Sequence, residues 1–133
     1  MARFVLAALL AMALTGPAKA QDDPISGVIA SQIEAFQRDD FATAFTFASP
    51  VIKGMFGTPE RFGMMVRQGY PMVWRPAEVQ YLEQRQSGPF TYQKVLIEDR
   101  QGALFTLEYE MIQTPEGWQI NGVQFLRDPP VAA

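Results

Sequence analysis

The chain has 133 residues, a formal charge of −3, and neither histidine nor cysteine. That composition excludes disulfide staples, thiol and imidazole chemistry, and the commonest transition-metal ligands, so no metal or cofactor is expected. The acidic balance, with no polybasic stripe, excludes phosphate backbones and anionic lipid surfaces as electrostatic partners.

In chain order, Met1-Ala2-Arg3 carries one positive charge, Phe4 to Leu14 is an apolar run, and Gly16-Pro17 breaks it. Ala18-Lys19-Ala20 then presents small residues just before Gln21. This is the layout of a secretory leader, too short to anchor in a bilayer, with cleavage expected after Ala20. An exported, periplasmic or secreted product with no stable membrane anchor is therefore expected. Arg3 and Lys19 leave with the leader. Eleven basic residues become nine against fourteen acidic ones, and the net charge of the remaining 113 residues becomes −5. That length suits a single core, expected over residues 21–127, with 128–133 as a short loose tail.

Asp23-Pro24 is a cap-plus-proline helix start. Ile25, Val28, Ile29, Ile33 and Phe36 follow at helical spacing, with Ser26, Gln32, Glu34 and Arg38 falling off that stripe, which predicts an amphipathic helix over 24–38. Asp39-Asp40 caps a shorter helix with Phe41, Ala44, Phe45 and Ala48 inward, ended by Ser49-Pro50. Residues 50–57 mix Val51, Ile52, Met55 and Phe56 with two glycines and fit a short strand or an apolar loop. Thr58-Pro59-Glu60 opens another helix, with Phe62, Met65 and Val66 inward and Gly69 at its end. Residues 70–76, fenced by prolines, read as an extended connector.

From residue 77 the period becomes two. Val79 and Tyr81 mark a first strand, and Ser87-Gly88-Pro89 a turn. Val95 and Ile97 mark a second strand over 90–98, closed by a turn over 99–102. Phe105, Leu107, Tyr109 and Met111 share one face of a third strand, opposite Thr106, Glu108 and Glu110. After a turn at 114–117, Trp118 and Ile120 share a face that Val123 and Phe125 would leave in a regular strand. A bulge at Asn121-Gly122 would return all four to the core side. Helices followed by a four-strand meander make an α+β domain, with the helices packed on one face of a curved antiparallel sheet.

Three segments carry a resemblance: Ala35-Phe36-Gln37-Arg38-Asp39-Asp40-Phe41-Ala42-Thr43-Ala44-Phe45, Ser49-Pro50, and Gly117-Trp118-Gln119-Ile120-Asn121-Gly122-Val123. From about Ile25 to Leu126 the pattern resembles the nuclear transport factor 2-like (cystatin-like α+β cone) superfamily. The whole chain after the leader is similar to its branch known as domain of unknown function 4864. The resemblance implies a cone with a pocket between helices and sheet. The superfamily includes isomerases, dehydratases, ligand binders and assembly modules, so the fold does not choose among functions.

No catalytic motif stands out. Asp39 and Asp40 read as a cap and a solvated charge, Asp99 falls in a turn, and Glu108 and Glu110 face away from the inward set. Met65, Tyr81, Tyr92, Tyr109, Trp118 and Phe125 are the candidate pocket residues. Trp74 and Arg75 are the candidate partner contacts. Three expectations stand side by side. The first is a non-enzymatic module holding an apolar small molecule or an envelope protein. The second is a small isomerase, dehydratase or hydrolase working through tyrosine with Glu34, Glu108 or Glu110. The third is a structural component of an envelope assembly. A homodimer through the sheet face is also expected.

Overall fold

The computed structural model describes residues 23–127, so the leader, its cleavage point and the 128–133 tail lie outside the described residues. Among the described residues, five helices precede four strands: α1 (Pro24–Gln37), α2 (Phe41–Thr46), α3 (Pro50–Phe56), α4 (Pro59–Gly69), α5 (Pro71–Trp74), then β1 (Pro76–Ser87), β2 (Phe90–Asp99), β3 (Leu104–Thr114) and β4 (Gly117–Leu126). The strands form one antiparallel sheet in the order β1-β2-β3-β4, the meander expected of an α+β chain.

Each of the first four helices starts on a short polar cap. Asp23, Asp40, Ser49 and Thr58 each accept a backbone N–H of the first turn, and α1, α3 and α4 carry proline at the start, where its missing donor costs nothing. Proline at the start also accounts for two departures from the sequence reading. Residues 50–56 form the helix α3 rather than a strand or loop, because Ser49 caps Ile52 N and Gly57 closes the helix at φ 82°. The connector over 70–76 contains the single-turn helix α5 rather than extended chain throughout. Ser49-Pro50 therefore opens α3 instead of ending α2. Ala48, expected on α2, forms a parallel bridge with Ile120.

Between α1 and the sheet lies the core. Ile25, Ile29, Ile33 and Phe36 from α1 meet Val95 and Ile97 of β2 and Leu107, Tyr109 and Met111 of β3. Burying each large aliphatic side chain contributes about 1.5–3 kcal/mol. Ser26 and Gln32, which the apolar stripe leaves out, are buried as well.

Among the described residues, the sheet has three register shifts, one of them at the start of β1 between Pro76 and Glu78, and the other two shape it around the core. Glu110 pairs with Gly122 and Met111 with Ile120, so Asn121 is the extra residue of a bulge in β4. The bulge brings Val123 and Phe125 to the face of Trp118 and Ile120, opposite Tyr109 and Leu107. A second register shift falls between Tyr81 and Gln84 in β1. There the buried Gln93 amide donates to Leu82 O at 2.9 Å, satisfying a carbonyl the shifted ladder leaves open. The edge of β4 is covered at Ile120 by the α2–α3 link: Ser49 N donates to Ile120 O at 2.8 Å and Ile120 N to Phe47 O at 2.9 Å. β1 is the other edge, and most of its side chains are exposed.

Candidate functional site

A cavity of about 320 Å³ lies between the helices and the inner face of β3 and β4. Gln32 and Phe36 of α1 form one wall, Ile52, Met55 and Phe56 of α3 a second, and Phe62, Met65 and Val66 of α4 a third. Tyr70, Val73, Tyr109 and the β4 run Ile120 to Val123 complete it. Among the described residues, no Asp, Glu, Lys or Arg lines it.

Local sequence explains each wall. Gln32 follows Ile29 by three residues and precedes Phe36 by four, so all three share one helix face. Phe62 is the hub of an aromatic cluster, with ring centres 5.8 Å from Phe36, 5.2 Å from Phe45 and 5.7 Å from Phe56. The second wall, α3, has no buried residue, and Val51 and Met55 are exposed. It is held instead by polar bonds at its start. Ser49 Oγ donates to Asn121 Oδ1 at 2.7 Å, and Asn121 Nδ2 donates to Glu110 Oε2 at 2.7 Å. The residue that bulges β4 thus ties the cavity wall to a carboxylate on the far face of the sheet.

Two polar side chains of the lining matter chemically. Gln32, 3% exposed, donates from Nε2 to Ala44 O at 3.1 Å. Tyr109, 1% exposed, lines the cavity, and its hydroxyl is buried with no hydrogen-bond partner among the described residues. Burial, reinforced by the nearby Tyr81 and Tyr70, pushes that hydroxyl far above the usual phenol value.

The six candidate pocket residues separate. Met65 and Tyr109 line the cavity. Tyr81 faces inward beside it, and its phenol is pushed up to about 12 by burial. Phe125, 46% exposed, stacks on Tyr70 with ring centres 5.1 Å apart. Trp118 packs against the core and borders a separate shallow groove with Phe47 and Lys53. Tyr92 lies on the opposite face of the sheet, where its hydroxyl donates to Glu110 Oε1 at 3.2 Å. Desolvation first, and then this bond, raise the Tyr92 pKa.

Around Tyr92 that outer face forms a polar cleft. Glu108 Oε1 accepts from Arg85 at 3.2 Å and from Gln124 at 3.3 Å, and the Arg85 guanidinium lies 4.4 Å from the Tyr92 ring centre. Glu108 and Glu110 are thus engaged away from the cavity. Trp74 and Arg75 are turned inward on the chain: Trp74 Nε1 donates to Asp39 Oδ1 at 2.9 Å, and Arg75 bonds the same carboxylate. Among the described residues no group of three or more metal-ligating side chains converges, and no helix is long and apolar enough to cross a membrane.

Sequence reasoning missed Gln32, Ile52, Phe56, Tyr70 and Val73 in this lining. The available signal was the position of Gln32 within the apolar face of α1. Nothing comparable marks α3, whose exposed and inward residues alternate without a clean stripe.

A search of the curated proteins finds no match to the chain. A family model does match, over residues 18–133, nearly the whole length, and on that match the chain belongs to the family described as domain of unknown function DUF4864.

Proposed function

We propose that this domain is a non-enzymatic binding module that holds an uncharged apolar small molecule between its helices and its sheet. The observation that carries the reading is a cavity of about 320 Å³ with no charged residue in its lining among the described residues. Such a space gains by removing apolar surface from water and offers nothing to offset the burial of a charge. Of the three carboxylates an isomerase or dehydratase could use as a cavity base, Glu108 and Glu110 are occupied on the other face and Glu34 is exposed on α1, outside the lining. The resemblance to the nuclear transport factor 2-like superfamily supports the same placement of a ligand. Export, with cleavage after Ala20, belongs to this proposal. It makes the ligand one met outside the cytoplasm, and N-terminal sequencing of the natural product starting at Gln21 is the expected result.

Native mass spectrometry of the protein isolated from its own compartment tests the binding role. An adduct that is lost on denaturation, and displaced by excess apolar probe, is the expected result. Repeated isolation of bare protein that also takes up no apolar probe would overturn it.

A further inference from the structure

One wall of the cavity carries a methionine that solvent reaches. Ile52, Met55 and Phe56 of α3 all line the cavity, and their spacing of three and four residues puts them on one face of that helix. Met55 also lies four residues after the exposed Val51. It therefore sits where the cavity face of α3 meets the solvent face, and it is 66% exposed. The other methionines among the described residues do not combine the two properties. Met64 is exposed but does not line the cavity. Met65 lines the cavity but is half-buried. Met72 and Met111 are buried in the core. The chain has no cysteine, so thioethers are its only sulfur groups.

We propose that Met55 is a reversible oxidation site at the mouth of the cavity, and that its conversion to the sulfoxide by a peroxide weakens the hold on an apolar ligand. This rests on the cavity being a ligand site. In the step, a sulfur lone pair takes one oxygen from hydrogen peroxide. The O–O bond breaks, an S–O bond forms, and the other oxygen leaves as water with both protons. Sulfur loses two electrons and the peroxide gains them. The product replaces a flexible apolar side chain by a polar one. Its oxygen then has two places to go. Against the ligand, it gives up water and meets a lining with no charged residue among the described residues. Turned out to solvent, it takes the side chain off the wall, and the ligand loses that contact. Both lower affinity. A thiol-dependent sulfoxide reductase returns the thioether, and an exposed residue on a helix with no buried side chain is open to such an enzyme.

Graded hydrogen peroxide on the isolated protein, followed by desalting, peptide mass mapping and titration with the uncharged fluorescent probe N-phenyl-1-naphthylamine, tests the proposal. Met55 and Met64 are expected to gain one oxygen before Met65, with Met72 and Met111 last. At doses that leave Met65 intact, probe affinity is expected to fall about tenfold as Met55 converts. Treatment with a methionine sulfoxide reductase and dithiothreitol is expected to restore it. Each variant is compared with its own untreated affinity. Met55→Leu, of similar volume but without sulfur, is expected to lose the response, and Met64→Leu to keep it. Three results overturn the role of Met55 while leaving a binding domain in place: oxidation of Met65 before Met55, unchanged affinity with Met55 fully oxidised, or a response that persists in Met55→Leu or vanishes in Met64→Leu. Untreated protein that takes up no probe overturns the binding reading and this inference together.

Discussion

Nη2 of Arg75 sits 3.0 Å from Oδ1 and 3.1 Å from Oδ2 of Asp39, closing the turn after α1 onto the residue that leads into the sheet. Asp39 holds a left-handed φ of 57°, which an aspartate tolerates better than most residues. The Trp74 indole, then Arg75, hold its carboxyl below the ordinary value of 3.8. A carboxyl lowered on folding adds stability that is complete above its unfolded pKa and is lost as pH falls through the folded one. Thermal melts from about pH 5 down to pH 2 should therefore fall more steeply for the unaltered protein than for Asp39→Asn, which has nothing left to titrate there. Equal slopes would mean that the clamp carries no net energy.

At the alkaline end the tyrosines act in the opposite direction. Tyr81 rises from 10.0 to about 12 through burial, and Tyr109 rises further for the same reason. Their neutral forms stabilise the fold below pH 10, and that share is lost as pH climbs toward the folded values. Tyr109→Phe removes a buried hydroxyl that has no partner, so the ligand-free protein should gain about 1 kcal/mol and lose part of its alkaline sensitivity in urea titrations. A loss of similar size would show that the hydroxyl is bonded in solution.

Ser49→Ala removes the cap of α3 and its bond to Asn121 together. The expected cost is about 1–2 kcal/mol in global stability. Because α3 has no buried residue of its own, the larger effect should be local. Amide exchange in residues 50–56 should accelerate more than in α1. Uniform acceleration across both helices would contradict a wall held mainly by its polar start.

Gly63→Ala tests the packing of α4 on α2. Alanine is the better helix former by about 1 kcal/mol, yet the added carbon would lie 2.6 Å from the Phe41 ring. The ring has to move, carrying its contact with Phe36 at 6.1 Å between centres. A net loss of about 1–3 kcal/mol by calorimetry is expected, and a rise in melting temperature would show that the ring yields freely.

The parts of the fold written in strong periodicity were readable. The alternation through Phe105, Leu107, Tyr109 and Met111 identified the inner face of β3. The parity conflict between Ile120 and Val123 revealed the bulge, because only one extra residue reconciles four apolar side chains with one face. The helix α3 was not readable. Two glycines and a mixture of exposed and half-buried apolar residues erase its stripe, and its stability comes from Ser49, Pro50 and a link to a distant strand. The cavity was partly readable: Met65 and Tyr109 stood out as residue types, but an empty volume arises from what the surrounding side chains fail to fill. Gln32 shows the difficulty. A polar residue between apolar neighbours looks like the edge of a stripe until the helix is docked, and only then does its buried amide meet the Ala44 carbonyl.

The open side of β1 bears on how copies of this chain behave when crowded. An exposed strand of twelve residues would ordinarily be a template for edge-to-edge pairing and fibre growth. Here the register shift between Tyr81 and Gln84 interrupts the straight run of unpaired backbone groups, and Glu78, Glu83 and Arg85 place charge along it. A second copy would have to match an interrupted ladder and desolvate charged side chains already paired within the fold, so this open edge is also a poor seed for aggregation.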